Sequence, residues 1–220
     1  MKTAMILAAG RGERLKPFTE KQPKAMCLVQ DKPLIEHHVA NLAESGFERI
    51  VINHAYLGSQ IRRHLGNGSK WGLEICYVPE PPGGLETGGG IFNALPLLGK
   101  EPFVTVNADV YTDFDFKSLQ LNDEIMLHLV LVHKPEQFQS SDFDLTQQNR
   151  LSNDNKRYTS AGIVYYRPEA FKNNKIGRYS VVSLWREFAN RNLATGQLYQ
   201  GIWVDIGSPE RLRLANSNAL

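Results

Sequence analysis

In the first half of the chain, short apolar runs alternate with stretches of helical spacing. Residues 4–8 form a continuous apolar run that reads as a buried strand. Residues 34–45 place Ile35, Val39, Leu42 and Ala43 on one helix face, and Gly46 follows as a C-cap signal. Residues 50–52 are a second, β-branched strand, 56–65 a weaker helix, and 73–78 a third strand running into a Pro-rich loop. Leu85-Glu86-Thr87-Gly88-Gly89-Gly90 then opens a helix to about Leu98. Residues 102–106 are a fourth strand, ending at Asn107-Ala108-Asp109. Strand and helix in alternation predict an α/β fold, a mixed and mainly parallel sheet flanked by helices. Right-handed crossovers put the ends of strands one and four on the same rim, and in such sheets ligands bind there.

The second half has a different texture. Residues 125–132 and 160–166 read as long strands, and 137–158, rich in Gln, Asn, Ser and Asp, as a mobile loop or short hairpin. Residues 181–191 have helical spacing, 202–206 look like a strand, and Ser208-Pro209-Glu210 starts a last helix to Ala215. No repeat or linker divides the chain, so residues 1–220 are expected to form a single domain.

Composition narrows the picture by exclusion. Charged residues make up 22% and hydrophobic ones 42%, as in an ordinary soluble domain. The net charge is +2 and the basic residues are scattered, which gives no sign of a nucleic-acid partner. The first apolar run, about six residues, is too short for a signal-peptide core or a membrane span, so a cytoplasmic protein is expected. Cys27 and Cys76 lack metal-ligand spacing and are expected to be buried thiols. Nothing in the pattern speaks to oligomeric state.

Candidate chemistry gathers at two loops. Behind the first strand come Gly10 and Gly12 with Arg11, Arg14 and Lys24, glycines that let backbone N–H groups approach an anion and cations that neutralise it. Read alone, this is either a polyphosphate cradle or a solvated basic loop. Asp109 and Asp205 each end a strand, and two carboxylates on one rim can hold Mg²⁺ through one or two oxygens while phosphates and water complete its shell. Pro23 stiffens the backbone before Lys24, whose ammonium could reach an α-phosphate; Arg14 offers a planar fork to a leaving pyrophosphate. Asp115 reads as a helix N-cap, His37 and His38 as partner-facing or solvated, and Trp71, Trp185 and Trp203 as packing.

These residues resemble a known family. Leu7-Ala8-Ala9-Gly10-Arg11-Gly12-Glu13-Arg14 with Pro23-Lys24 is similar to the signature of the sugar-1-phosphate nucleotidyltransferases. The likeness continues through Asn53-His54-Ala55-Tyr56-Leu57-Gly58, Leu85 to Ile91, Asn107-Ala108-Asp109-Val110 and Trp203-Val204-Asp205-Ile206-Gly207. Within that family the asparagine–histidine and Glu-Thr-triple-Gly segments look most like the uridylyltransferases that act on N-acetylmuramate 1-phosphate in bacterial cell-wall recycling.

The resemblance implies a Rossmann-like (GT-A-like) fold, UTP and a sugar 1-phosphate as substrates, and Mg²⁺ as cofactor. It implies that Arg14 and Lys24 are catalytic cations and that Asp109 and Asp205 are the metal ligands. Leu7, Ala8, Ala9, Gly10, Arg11, Gly12, Glu13 and Lys24 would hold the nucleotide, with Glu80, Glu86, Thr87 and Gly88 near the base. Backbone groups of Ala8 and Ala9 would read the pyrimidine edge. Asn107, Asp142 and Gly162 would lie near the sugar phosphate, and the 137–158 loop is expected to close over the sugar. Three positions depart from the family pattern: Ala108 replaces a usual glycine, Ala25-Met26-Cys27 lacks a common second proline, and Ala161 replaces a small polar residue. The alternatives are a glucose, mannose or phosphocholine-type nucleotidyltransferase, a silent nucleotide-sugar-binding regulator, and a GT-A glycosyltransferase. The last usually needs an Asp-x-Asp motif, and Asn107-Ala108-Asp109 has one acid.

Overall fold

The computed structural model describes residues 1–135 and 140–217. Its centre is a seven-stranded sheet. The strands, in chain order, are β1 (Thr3–Ala8), β2 (Arg49–His54), β3 (Glu74–Pro79), β4 (Phe103–Asn107), β6 (Leu127–His133), β7 (Tyr158–Tyr166) and β8 (Ala194–Leu198). A short β5 (Val110–Thr112) lies outside this sheet and pairs antiparallel with β9 (Trp203–Asp205). The spatial order is β8-β6-β7-β4-β1-β2-β3. β1 pairs in parallel with both β2 and β4, while β7 runs antiparallel to its neighbours β4 and β6. The mainly parallel sheet flanked by helices is therefore the expected architecture.

Side-chain alternation along β1 explains the layering. Ala4, Ile6 and Ala8 face one core, which takes Ile35, Val39 and Leu42 of α1 (Leu34–Glu44) and Ile61 and Leu65 of α2 (Gly58–Leu65). Met5 faces the other, with Ile91, Ala94 and Leu98 of α3 (Glu86–Leu98) and Leu184, Trp185 and Phe188 of α4 (Val182–Asn190). A third, smaller cluster joins Leu15, Val29, Leu34, Val204 and Ile206 to Leu212 of α5 (Pro209–Ala215). It lies under the rim that carries Arg14 and Asp205. Burial of these apolar faces is what holds each helix on the sheet.

Several expectations shift. The helix expected from residue 56 begins at Gly58, because Leu57 adopts a left-handed φ of 51°, and Tyr56 stays in a loop. The strand expected at 202–206 joins β5 rather than the main sheet. β8 went unread, since Ala-Thr-Gly-Gln-Leu has little alternation; it is set by pairing with β6. From Ser140 onward the polar stretch is the hairpin alternative: Asp144–Leu145 pairs with Leu151–Ser152, and fully buried Phe143 anchors it against Trp185. Of the expected 137–158 loop, 137–139 lie outside the described residues. Cys27 is buried, but Cys76 is only half-buried, with its thiol 3.6 Å from Glu74 Oε1. His38 is buried, not solvated, and His37 Nε2 lies 2.9 Å from the Val29 carbonyl oxygen.

Candidate active site

At the carboxyl ends of β1, β2 and β4 lies a cleft of about 790 Å³. The parallel register places Leu7 beside both Asn53 and Asn107, so three loops leave the sheet side by side. Of the residues singled out in the sequence, Leu7, Ala8, Ala9, Gly10, Arg11, Glu13, Lys24, Glu80, Glu86, Thr87, Asn107 and Asp109 line this cleft.

The opening loop is braced before any ligand arrives. Gly12 turns it at a φ of 71°, and the Thr19 hydroxyl donates to the Gly12 carbonyl at 2.8 Å. The Arg11 guanidinium stacks 3.4 Å from the Tyr56 ring centroid and donates to the Thr19 carbonyl at 3.0 Å. Glu13 pairs with Lys16 at 2.5 Å and with Arg11 at 3.3 Å. Arg11 is thus presented to the cleft as a fixed cation rather than a flexible one.

Lys24 begins a one-turn helix after extended Pro23, and its ammonium lies 2.5 Å from Asp109 Oδ2. Asp109 follows β4, where Ala108 N–H bonds the Leu7 carbonyl at 3.1 Å. Asp205 comes to it through the β5–β9 ribbon: Asp205 pairs with Val110, and the Ile206 N–H donates to the Asp109 carbonyl at 2.8 Å. Arg211, on the first turns of α5, bonds Asp205 Oδ2 directly. Burial, and then the charge of Asp109, push the Asp205 carboxyl above its ordinary range, while Lys24, Arg211 and Arg14 oppose the shift. Exposed Arg14 therefore belongs to the same electrostatic cluster although it does not line the cleft.

Two carboxylates held together in this way repel each other, and a divalent cation on them would relieve that repulsion. The residues present fit Mg²⁺ in its common form, a site of two carboxylates completed by phosphates. Among the described residues no group of three or more His, Cys, Asp or Glu forms a cage.

Other residues sit differently from expectation. The Ala8 N–H, expected to face a base, donates instead to Asn53 Oδ1 at 2.9 Å. Gly88 is buried outside the cleft lining, its N–H donating to the Tyr179 carbonyl at 3.0 Å, so its backbone donor serves helix docking. Asp142 does not line the cleft: its Oδ2 accepts from the Thr159 hydroxyl at 2.5 Å and the Ser160 N–H at 3.1 Å, which fastens the hairpin to β7. Gly162 has a φ of 74° where the β7 register shifts between Ser160 and Val164. A Cβ there would lie 2.7 Å from Asn107 Nδ2, so Gly162 lets β7 approach Asn107 closely. The Ala161 carbonyl accepts from Trp203 Nε1 at 2.9 Å. Asp115 is the expected cap, accepting the Lys117 N–H at 2.9 Å. Asn53 and Arg211 were missed as site residues; the only sequence signal for either was the place of Asn53 in the asparagine–histidine segment.

An open α/β sheet whose parallel-strand rim carries a braced basic loop and a paired-aspartate cluster defines a nucleotide-handling transferase. The family itself follows from comparison. The chain belongs to the nucleotidyl transferase family, whose model matches residues 3–125. It is 44% identical to the N-acetylmuramate alpha-1-phosphate uridylyltransferase of Neisseria meningitidis serogroup B, over 98% of this chain and 97% of that protein. It is 32% identical to the enzyme of the same name from Caulobacter vibrioides, over 95% and 93%. Among solved structures, HddC from Yersinia pseudotuberculosis complexed with GMP-PN matches with a TM-score of 0.78 at 21% identity, covering 98% of both chains. That likeness speaks for the fold alone. The resemblance read from the sequence is thus borne out.

Proposed function

We propose that this protein transfers the uridylyl group of UTP to N-acetylmuramate α-1-phosphate, giving the UDP-sugar and pyrophosphate, as a cytoplasmic step in bacterial peptidoglycan recycling. The observation that carries the reading is the end-to-end 44% identity to a uridylyltransferase of that name. The placement of Lys24, Asp109 and Asp205 at one rim supports it.

The sugar phosphate is already an anionic nucleophile near neutral pH, so no general base is required. The protein's work is to position two phosphates and to stabilise charge. Arg11, fixed on Tyr56, and the turn through Gly10 and Gly12 hold the triphosphate. Lys24 neutralises the α-phosphate as charge builds on it, and Arg14 the departing pyrophosphate. Asp109 and Asp205 would hold Mg²⁺, which when bound supplies further neutralisation of phosphate charge. Asn107, with Gly162 pressed against it, would contact the sugar phosphate.

A pyrophosphate-release screen of UTP, dTTP, GTP and CTP against a panel of sugar 1-phosphates tests this. UTP with N-acetylmuramate α-1-phosphate should give the fastest turnover, and chelation by EDTA should stop it. Preference for GTP with mannose 1-phosphate, or for glucose 1-phosphate, would overturn the substrate assignment.

A further inference from the structure

Asp113 is exposed and stands outside the cleft lining, and the proposed transfer gives it no task. Its carboxylate nevertheless closes the ribbon that brings Asp205 to Asp109. Val110 pairs there with Asp205, Tyr111 with Val204 and Thr112 with Trp203. At the cleft end the Ile206 N–H donates to the Asp109 carbonyl at 2.8 Å. At the far end a side chain serves instead: Asp113 Oδ1 accepts the Ile202 N–H at 2.8 Å. The same oxygen accepts from the Tyr199 hydroxyl. Tyr199 is itself fixed, its N–H donating to the Leu131 carbonyl of β6 at 2.7 Å and its ring edge-on to Phe114 with centroids 5.2 Å apart. Gly201 makes the approach possible, since a Cβ there would collide with the Tyr199 hydroxyl.

Three residue pairs make a short ladder, and a buried face does not by itself set its register. Val204 and Ile206 are buried in the small third cluster, which fixes the face that Asp205 presents. A slip of one residue would turn every side chain of β9 to the other face, so burial forbids it. A slip of two residues keeps the same side chains facing the core. It would carry Asp205 about 7 Å along β5, out of reach of a cation shared with Asp109. The bonds at the two ends of the ribbon oppose that slip, and the one at Ile202 depends on a side chain.

We propose that Asp113 is a positioning residue for the aspartate pair. It sets the register of the β5–β9 ribbon, and with it the separation of the Asp205 and Asp109 carboxylates, without touching metal or substrate. The inference rests on the reading of Asp109 and Asp205 as a shared Mg²⁺ site.

The two oxygens of the carboxylate suggest the test. Asp113→Asn keeps an accepting Oδ1 in the same place, whereas Asp113→Ala removes it. Titration with Mn²⁺, followed by loss of the free ion's electron paramagnetic resonance signal, reads the site without turnover. Asp113→Ala should weaken Mn²⁺ binding by about 10-fold or more, the usual loss when a group supporting metal ligands goes, and Asp113→Asn should stay within about 3-fold of the parent. Tyr166→Phe is the control for stability alone. It removes the acceptor of Trp185 Nε1 beside Phe103, at the start of β4 and away from the rim, so it should lower the melting temperature and leave Mn²⁺ affinity unchanged. Hydrogen exchange gives a second reading: in Asp113→Ala the Ile206 N–H, at the opposite end of the ribbon, should lose protection, and in Asp113→Asn keep it. Either parental Mn²⁺ affinity or parental Ile206 protection in Asp113→Ala would overturn the proposal. So would an equal loss of affinity in Tyr166→Phe, or an Asp113→Asn variant as weak as Asp113→Ala. If Asp113→Ala does not fold, Asp113→Ser, too short to hold both donors, is judged by the same ratios. If the parent binds no Mn²⁺, or binding survives Asp109→Asn, the shared metal site fails instead, and Ile206 exchange alone decides the register claim.

Discussion

The loops proposed to hold the nucleotide leave β1, β2 and β3, three parallel strands in register, whereas the proposed sugar side hangs on β7, which runs against both its neighbours. On the nucleotide side, position comes from short local braces: Arg11 on Tyr56, Thr19 on Gly12, Lys24 on Asp109. On the sugar side it comes from a break in regularity, the β7 register shift with left-handed Gly162 pressed against Asn107. Parallel strands fix where their loops emerge, so one site can be kept while the opposite wall varies. On the proposed reading, the reaction belongs to one wall and the acceptor to the other.

The largest effect should come from the point where the walls meet. Asp109→Asn should abolish metal-dependent turnover while circular dichroism stays unchanged; unaltered metal dependence would remove Asp109 as a ligand. A second test concerns the support behind that rim. Burial drives the His38 imidazole down to about 4, with His37 adding to the shift and the Val110 backbone and Asp109 opposing it. Because the native state resists protonation, stability is fully present above pH 6.5 and is lost as pH falls toward 4. The loss from this group is roughly 3 kcal/mol. Denaturant melts at pH 7 and pH 4.5 should reveal it, and His38→Leu should flatten that step.

Next in size is Lys24→Ala, which should lower kcat by about 100-fold, the usual loss when a charge stabiliser is removed. A near-normal rate would take Lys24 out of the chemistry. The smallest effect sharpens the comparison most. Gly162→Ala should raise KM for the sugar phosphate on the order of 10-fold by displacing Asn107, with KM for UTP unchanged. Equal rises in both constants would dissolve the division into two walls.

What was legible in the sequence follows the same division. β1 to β4, α1 and α3 showed themselves through apolar runs and spacing, because each buries its own face. The rim residues after β1 and β4 were found because parallel crossovers dictate where loops emerge. Asn53 and Arg211 were not, since their partners Glu80 and Asp205 depend on how distant loops fold back. β8 was equally silent: Gly196 and its polar neighbours become a strand only by pairing with β6. The hairpin after Ser140 looked like a loop because its apolar anchors, Phe143 and Leu151, are single residues in polar surroundings.

The central claim is transfer of an intact uridylyl group to a sugar 1-phosphate. Phosphorus-31 NMR of the protein with UTP, Mg²⁺ and N-acetylmuramate α-1-phosphate follows each phosphorus directly. The account predicts one diphosphate-linked sugar nucleotide for every pyrophosphate, with no UMP. UMP and free pyrophosphate without the sugar nucleotide, or no reaction alongside ready turnover of GTP with mannose 1-phosphate, would contradict it.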